Sequence, residues 1–297
     1  MPYGKGYVKG VTLVFNKVSL GMRGDLNLFK KHISQCSVPG SQILFTSPQN
    51  KDELCVIEFA LNNDLKLLDK VLNTLSEYII ERYELKFINR ILSEEYTYLS
   101  PKQKREIIRS ISTISDDLRL GYRPRKQAVL LSLYDYLRED SFMLLDGFVA
   151  FRLKEYETLL GAAIKQLVEE CITRHEYENF ISLLKYFVNI QEPRPELTHV
   201  YVLPDGTYEL FSEQGENITK KCLSDFVDTD DIPENANFDD LLISMLITLA
   251  PKTIIVHNHK EIKNKELFTT ITRVFDDRIL NCDGCSLCTK KPALTTV

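Results

Sequence analysis

No stretch of this chain is long and apolar enough to cross a bilayer. The most hydrophobic run, LLISMLITLAPKTIIV (241–256), is interrupted by Pro251 and Lys252 and reads as helix, turn and strand. The apolar VTLVF (11–15) that follows Lys5 and Lys9 is too short for the core of a secretory signal. The expected location is therefore cytoplasmic. There is no excess of positive charge: 37 Lys and Arg face 42 Asp and Glu, a net of -5. This excludes a global attraction to nucleic acid or an anionic membrane and leaves only local patches. No P-loop and no G-x-S-x-G elbow is present. Gly4, Gly6 and Gly10 have no strand before them and no clear helix after them, so they read as a flexible entry and not a phosphate loop. Asp228-x-Asp230 lacks the glycine that an EF-hand turn requires, so it reads as a solvated acidic loop. Internal repeats and low-complexity tracts are also lacking.

What is present is an ordinary globular composition, 44% hydrophobic and 27% charged over 297 residues. That length suggests two domains and is ample for a core without staples. The seven cysteines cannot all pair within one chain. Cys55 in ELCVIEF and Cys171 after LVEE read as small core residues, a usage that fits a reducing compartment.

The pattern along the chain predicts a mixed α+β protein. Residues 1–62 form a mixed α/β region, with strands in GVTLVFNKV, QILFTS and ELCVIEFAL and a helix in NLFKKHIS. Residues 63–190 form a helical bundle, because apolar residues recur at spacings of three and four, as at Leu68, Val71, Leu72, Leu75 and Ile79. Ser100 and Pro101 read as the N-cap and first residue of a helix. His175 is placed between two helices. Arg152, flanked by Phe148, Phe151 and Leu153, is expected to be partly buried against Asp146, Glu155 or an acid on a neighbouring helix. Pro193 and Pro195 mark a linker. Residues 197–290 then form a C-terminal α/β domain: a β-hairpin around Pro204-Asp205-Gly206, a helix, and a βαβ unit with parallel strands. Residues 291–297 are a tail.

The chemistry concentrates at NCDGCSLC. Cys282, Cys285 and Cys288 recur every third residue, and Gly284 eases the turn between them. Such a loop folds three thiolates toward one point, and zinc requires a fourth ligand. In a βαβ unit both strand tips lie at one sheet edge, with neighbouring strands ~5 Å apart. His257 at the end of TIIVH, or alternatively His259, can therefore complete a set of three thiolates and one imidazole. An iron–sulfur cluster is less favoured, because the ferredoxin run would place a cysteine where Pro292 stands. A structural zinc is preferred to a catalytic one, since no activated water or base is evident beside the cluster. The basic stretch from Lys102 to Lys126 could meet nucleic-acid phosphates, but a solvated helix face explains it more simply.

DGFVAFRLKEY (146–156), EYENFISLLKYFVNIQEP (176–193), the PDG hairpin (204–206) and the terminal CDGCSLC together resemble the YtxC-like family of sporulation proteins. The resemblance implies a cytoplasmic protein of a spore-forming bacterium and brings no catalytic residue with it. The combined expectation is a non-enzymatic protein-interaction or regulatory factor that binds a protein partner or another copy of itself. The alternative is a metal- or thiol-dependent enzyme, or a nucleic-acid binder, working at the C-terminal sheet edge.

Overall fold

The computed structural model describes residues 17–23, 31–32, 43–46, 55–61, 64–116, 120–192, 195–224, 238–285 and 288. The N-terminal glycines, most of the strand expected at 10–18 and of the helix expected at 27–34, the Asp228–Asp230 loop, Pro193 and the tail lie outside the described residues. The chain is α+β and divides into two compact units, residues 1–172 and 173–297.

In the first unit, strands β1 (Lys17–Met22), β2 (Ile43–Thr46), β3 (Cys55–Ala60) and β4 (Phe142–Leu144) form one sheet in the order β2-β3-β1-β4. β1 runs antiparallel to β3 and parallel to β4. The helices are α1 (Leu65–Glu94), α2 (Pro101–Ser110), α3 (Tyr122–Glu139), α4 (Leu145–Arg152) and α5 (Lys154–Ile190), the last continuing into the second unit. α1 starts where the Asp64 carboxylate accepts the backbone N–H groups of Lys66 and Leu67, two of the donors every helix start leaves unpaired. Its buried residues, among them Leu68, Val71, Leu72, Leu75 and Ile79, keep the spacing seen in the sequence, and the helix is single. α2 has the expected cap: Ser100 and Gln103 satisfy each other's backbone N–H.

The compact units divide at 172/173. β4, too short to show in the sequence, joins the N-terminal sheet from within the helical region, and Val18, Leu20, Ile57 and Phe59 share one core with Leu72, Leu133 and Leu160. His175 lies inside the unbroken helix α5 rather than between two helices.

Arg152 takes the expected partner, an acid on a neighbouring helix, but is more exposed than expected. Its side chain is about half exposed and donates to Glu139 at 2.8 Å, because α4 turns Phe151 and Arg152 outward. The buried guanidinium is Arg125, 1% exposed. It donates to the Leu120 carbonyl at 2.6 Å and lies 3.3 Å from Glu84 Oε2, which also accepts the Tyr156 hydroxyl at 2.7 Å. Burial, then the Glu84 charge, pushes the Tyr156 phenol well above its ordinary value, so it stays a donor. This network ties α1, α3 and α5 together. Much of the basic stretch is paired as well: Lys104 donates to the Leu92 carbonyl, and Lys126 and Arg123 pair with Glu77 and Asp116.

In the second unit, β5 (Leu197–Val202), β6 (Tyr208–Ser212), β7 (Thr253–His257) and β8 (Ile279–Asn281) form a sheet in the order β6-β5-β7-β8. The β5–β6 hairpin turns at Gly206, whose φ of 91° is the left-handed conformation that glycine adopts without strain. β5, β7 and β8 are mutually parallel, so the expected βαβ unit is present, with α8 (Lys265–Phe275) as its crossover. α6 (Thr219–Leu223) and α7 (Phe238–Leu249) precede β7. Val200, Val202, Ile254 and Val256 form the sheet's apolar face, in one core with Leu242 and Leu246 of α7 and Leu267 and Ile271 of α8. Among the described residues, no helix is long and apolar enough to cross a membrane.

The two arginines generate opposite expectations for stability. Arg125→Ala strands the Glu84 carboxylate in the interior and should cost about 3–5 kcal/mol. Arg152→Ala breaks a surface pair and should cost less than about 1 kcal/mol. Urea denaturation of the two variants checks the ranking; equal losses would contradict it.

Candidate metal centre

Because side chains alternate across a strand, the face of the C-terminal sheet opposite its apolar core carries His199 and Tyr201 of β5 and His257 of β7. The register pairs Tyr201 with His257, and their rings stack with centroids 6.1 Å apart. His257 is 2% exposed. Beyond β8 the backbone N–H of Cys282 donates to the Val256 carbonyl at 2.9 Å. One further rung of the parallel ladder thus sets the first cysteine beside the residue that precedes His257. Gly284, at a φ of 119°, then turns the chain back, and its N–H donates to Cys282 Sγ at 3.4 Å.

The result is a group of four. Nδ1 of His257 lies 3.4 Å from Cys288 Sγ and 3.5 Å from Cys285 Sγ. The sulfur of Cys288 is 3.9 Å from that of Cys285 and 3.8 Å from that of Cys282. All four donor atoms lie within 4.8 Å of one another. None of the three cysteines is in a disulfide, and each is part-exposed. Of the two histidines considered, the structure brings His257 into this group. His259 sits in the 3₁₀ turn that follows, with its Nδ1 buried and unbonded among the described residues. It lines an open cleft of about 500 Å³ together with Pro204, Asn258, Glu261, Asp283 and Cys288. Asn258 makes the turn possible, adopting a left-handed φ of 53° that asparagine tolerates better than most residues.

The surroundings shift both histidines and Cys282 toward their neutral forms. Burial lowers the pKa of His257, and the adjacent His199 lowers it further; burial lowers that of His199 as well. Both rings therefore stay neutral at neutral pH, with lone pairs free to donate. At Cys282 the Gly284 N–H favours the thiolate, but desolvation and the neighbouring thiols Cys285 and Cys288 outweigh it and raise the pKa. A divalent cation among the sulfurs would invert that balance.

Sequence reasoning missed His199. Its Nδ1 lies 2.9 Å from His257 Nε2, on the side of the ring away from the sulfurs. The signal was present in the alternation of LTHVYV, but it is legible only once β5 is known to lie beside β7.

The chain is similar to known proteins over most of its length. A protein of Bacillus subtilis (strain 168) with the name "Uncharacterized protein YtxC" is 23% identical over 214 residues, 69% of this chain and 73% of that protein. No solved structure matches the chain significantly. The sequence model described as the YtxC-like family matches residues 69–280, a stretch that contains His199 and His257 and stops short of Cys282. With well over half of its length matched, the chain belongs to the YtxC-like family.

Proposed function

We propose that Cys282, Cys285, Cys288 and His257 hold one structural zinc ion, and that the chain is a cytoplasmic, sporulation-associated factor that acts by binding protein rather than by catalysis. The observation that carries the metal assignment is the spacing of the donor atoms. Zinc with ~2.3 Å bonds to sulfur and ~2.0–2.1 Å bonds to nitrogen, in a tetrahedron, requires sulfurs about 3.8 Å apart and a ring nitrogen about 3.5 Å from each sulfur. The four distances above, 3.8 and 3.9 Å between sulfurs and 3.4 and 3.5 Å from nitrogen to sulfur, match these edges. An iron–sulfur cluster fits less well, because each cysteine would bind a different iron and the sulfurs would stand apart around the cage.

A zinc ion here would supply cross-linking rather than reactivity. Four protein donors fill a tetrahedron and leave no position for water or substrate, the arrangement of structural sites. The His199 contact supports the same reading. If Nδ1 of His257 gives its lone pair to the metal, Nε2 carries the proton and donates it to Nδ1 of His199, which fixes the tautomer and orientation of the ligand ring. The enzymatic alternative draws on the cleft beside Cys288, where His259 and Glu261 stand. It requires an open coordination position that a four-ligand sphere does not provide.

Elemental analysis of anaerobically purified protein tests the proposal. One equivalent of zinc is expected, lost in Cys285→Ser together with the thermal stability of the C-terminal unit; protein without metal, or iron with visible absorbance, would overturn it. His199→Ala should retain all four ligands yet weaken zinc affinity by about 10–100-fold in a chelator competition. Gly284→Ala isolates the turn. A Cβ there meets nothing within 4 Å, so only the strained φ opposes it, and a loss of about 1–3 kcal/mol is expected in thermal melts of the zinc-loaded protein.

A further inference from the structure

The second half of α5 carries more apolar surface than its own unit covers. Ile181 and Val188 are buried in the second core, and Tyr177 and Leu184 pack against it. On the adjoining face Phe180, Leu183, Phe187 and Ile190 are 48, 52, 41 and 57% exposed, with Tyr186 beside them at 60%. Steps of three, four and three residues align the first four along one side of the helix, over about 15 Å of its length. Exposed large side chains occur singly on any surface; five in a row on one helix face mark a site of interaction.

We propose that this stripe is the centre of a two-fold symmetric interface with a second copy of the chain, the two helices antiparallel and crossing near residue 185. Three observations favour that occupant. A two-fold interface must be self-complementary. The spacing three, four, three reads the same in both directions, so reversal lays Phe180 on the other copy's Ile190 and Leu183 on the other copy's Phe187. In both pairs an aromatic ring meets a branched aliphatic chain. Second, the charge argues against nucleic acid and anionic membrane. The only charged residue from 180 to 190 is Lys185, which pairs with Asp276 at 3.3 Å, so the stripe offers nothing to a phosphate backbone or an anionic surface. Third, the area suffices. At about 150–250 Å² for a large aromatic side chain and somewhat less for an aliphatic one, the exposed fractions sum to about 500 Å² per chain. Two such faces reach the ~1,000 Å² at which specific interfaces begin, before any polar rim is added.

The proposal does not depend on the metal centre, and thermal melts serve as a check that variants are intact. The test is sedimentation equilibrium of the full chain over a dilution series. The native chain is expected to be a dimer that dissociates on dilution. Phe187→Glu should weaken association at least about thirtyfold, the effect of losing one hot spot. Leu183→Lys combined with Phe187→Glu should recover part of that loss, since each lysine then faces a glutamate of the other copy. Tyr98→Glu, an exposed aromatic on the first unit, should change nothing. A native chain that is monomeric at high concentration overturns the proposal. So does a dimer indifferent to Phe187→Glu, or a charge pair that gives no recovery.

Discussion

The candidate centre depends on the parallel pairing of β8 with β7. Three rungs and one additional hydrogen bond, from the Cys282 N–H to the Val256 carbonyl, bring a loop of thiols to the tip of a strand that ends in histidine. Crossover helix α8 makes the pairing affordable: Leu267, Ile271, Val274 and Phe275 bury their side chains in the second core, at about 1.5–3 kcal/mol each. The chemistry at the sheet edge thus rests on apolar packing on the opposite face.

The two faces of the C-terminal sheet divide the labour. One is continuous hydrocarbon against α7 and α8. The other carries His199, Tyr201 and His257, whose rings touch in sequence. A neutral imidazole wedged between a stacked phenol and a second imidazole has little rotational freedom, so the ring is held in one orientation. The first unit places its main polar investment differently. Glu84, Arg125 and Tyr156 form a closed network far from any cluster of thiols in the chain order, and they join helices rather than face a ligand.

Much of this was legible in the sequence because the informative periods are local. The three-and-four spacing of α1, the Ser100–Pro101 start of α2, the PDG turn and the β-α-β alternation after 250 depend on a few consecutive residues. The convergence of His257 with the three cysteines followed from one topological rule, that parallel strands share an edge. What stayed hidden depends on register over long separations. His199 becomes a neighbour of His257 only through a strand pairing across 58 residues. Arg125 looked like one more charge in RPRKQ, while Arg152 looked partly buried because its sequence neighbours are apolar; the rotation of each helix buries the first and leaves the second about half exposed. β4, at three residues, has too little sequence to carry a pattern, and it adds a strand from the helical region to the N-terminal sheet.

β8 has a further consequence. It is an edge strand of three residues, and what it covers is TIIVH, a strand of high β-propensity with no charge among its first four residues. Uncovered, the backbone groups on that side of β7 would be a ready template for strands of other molecules, the usual route to aggregation. The group of His257 and three cysteines sits at the ends of both strands, where a cross-link would keep that sticky edge sealed and act on solubility as much as on folding free energy.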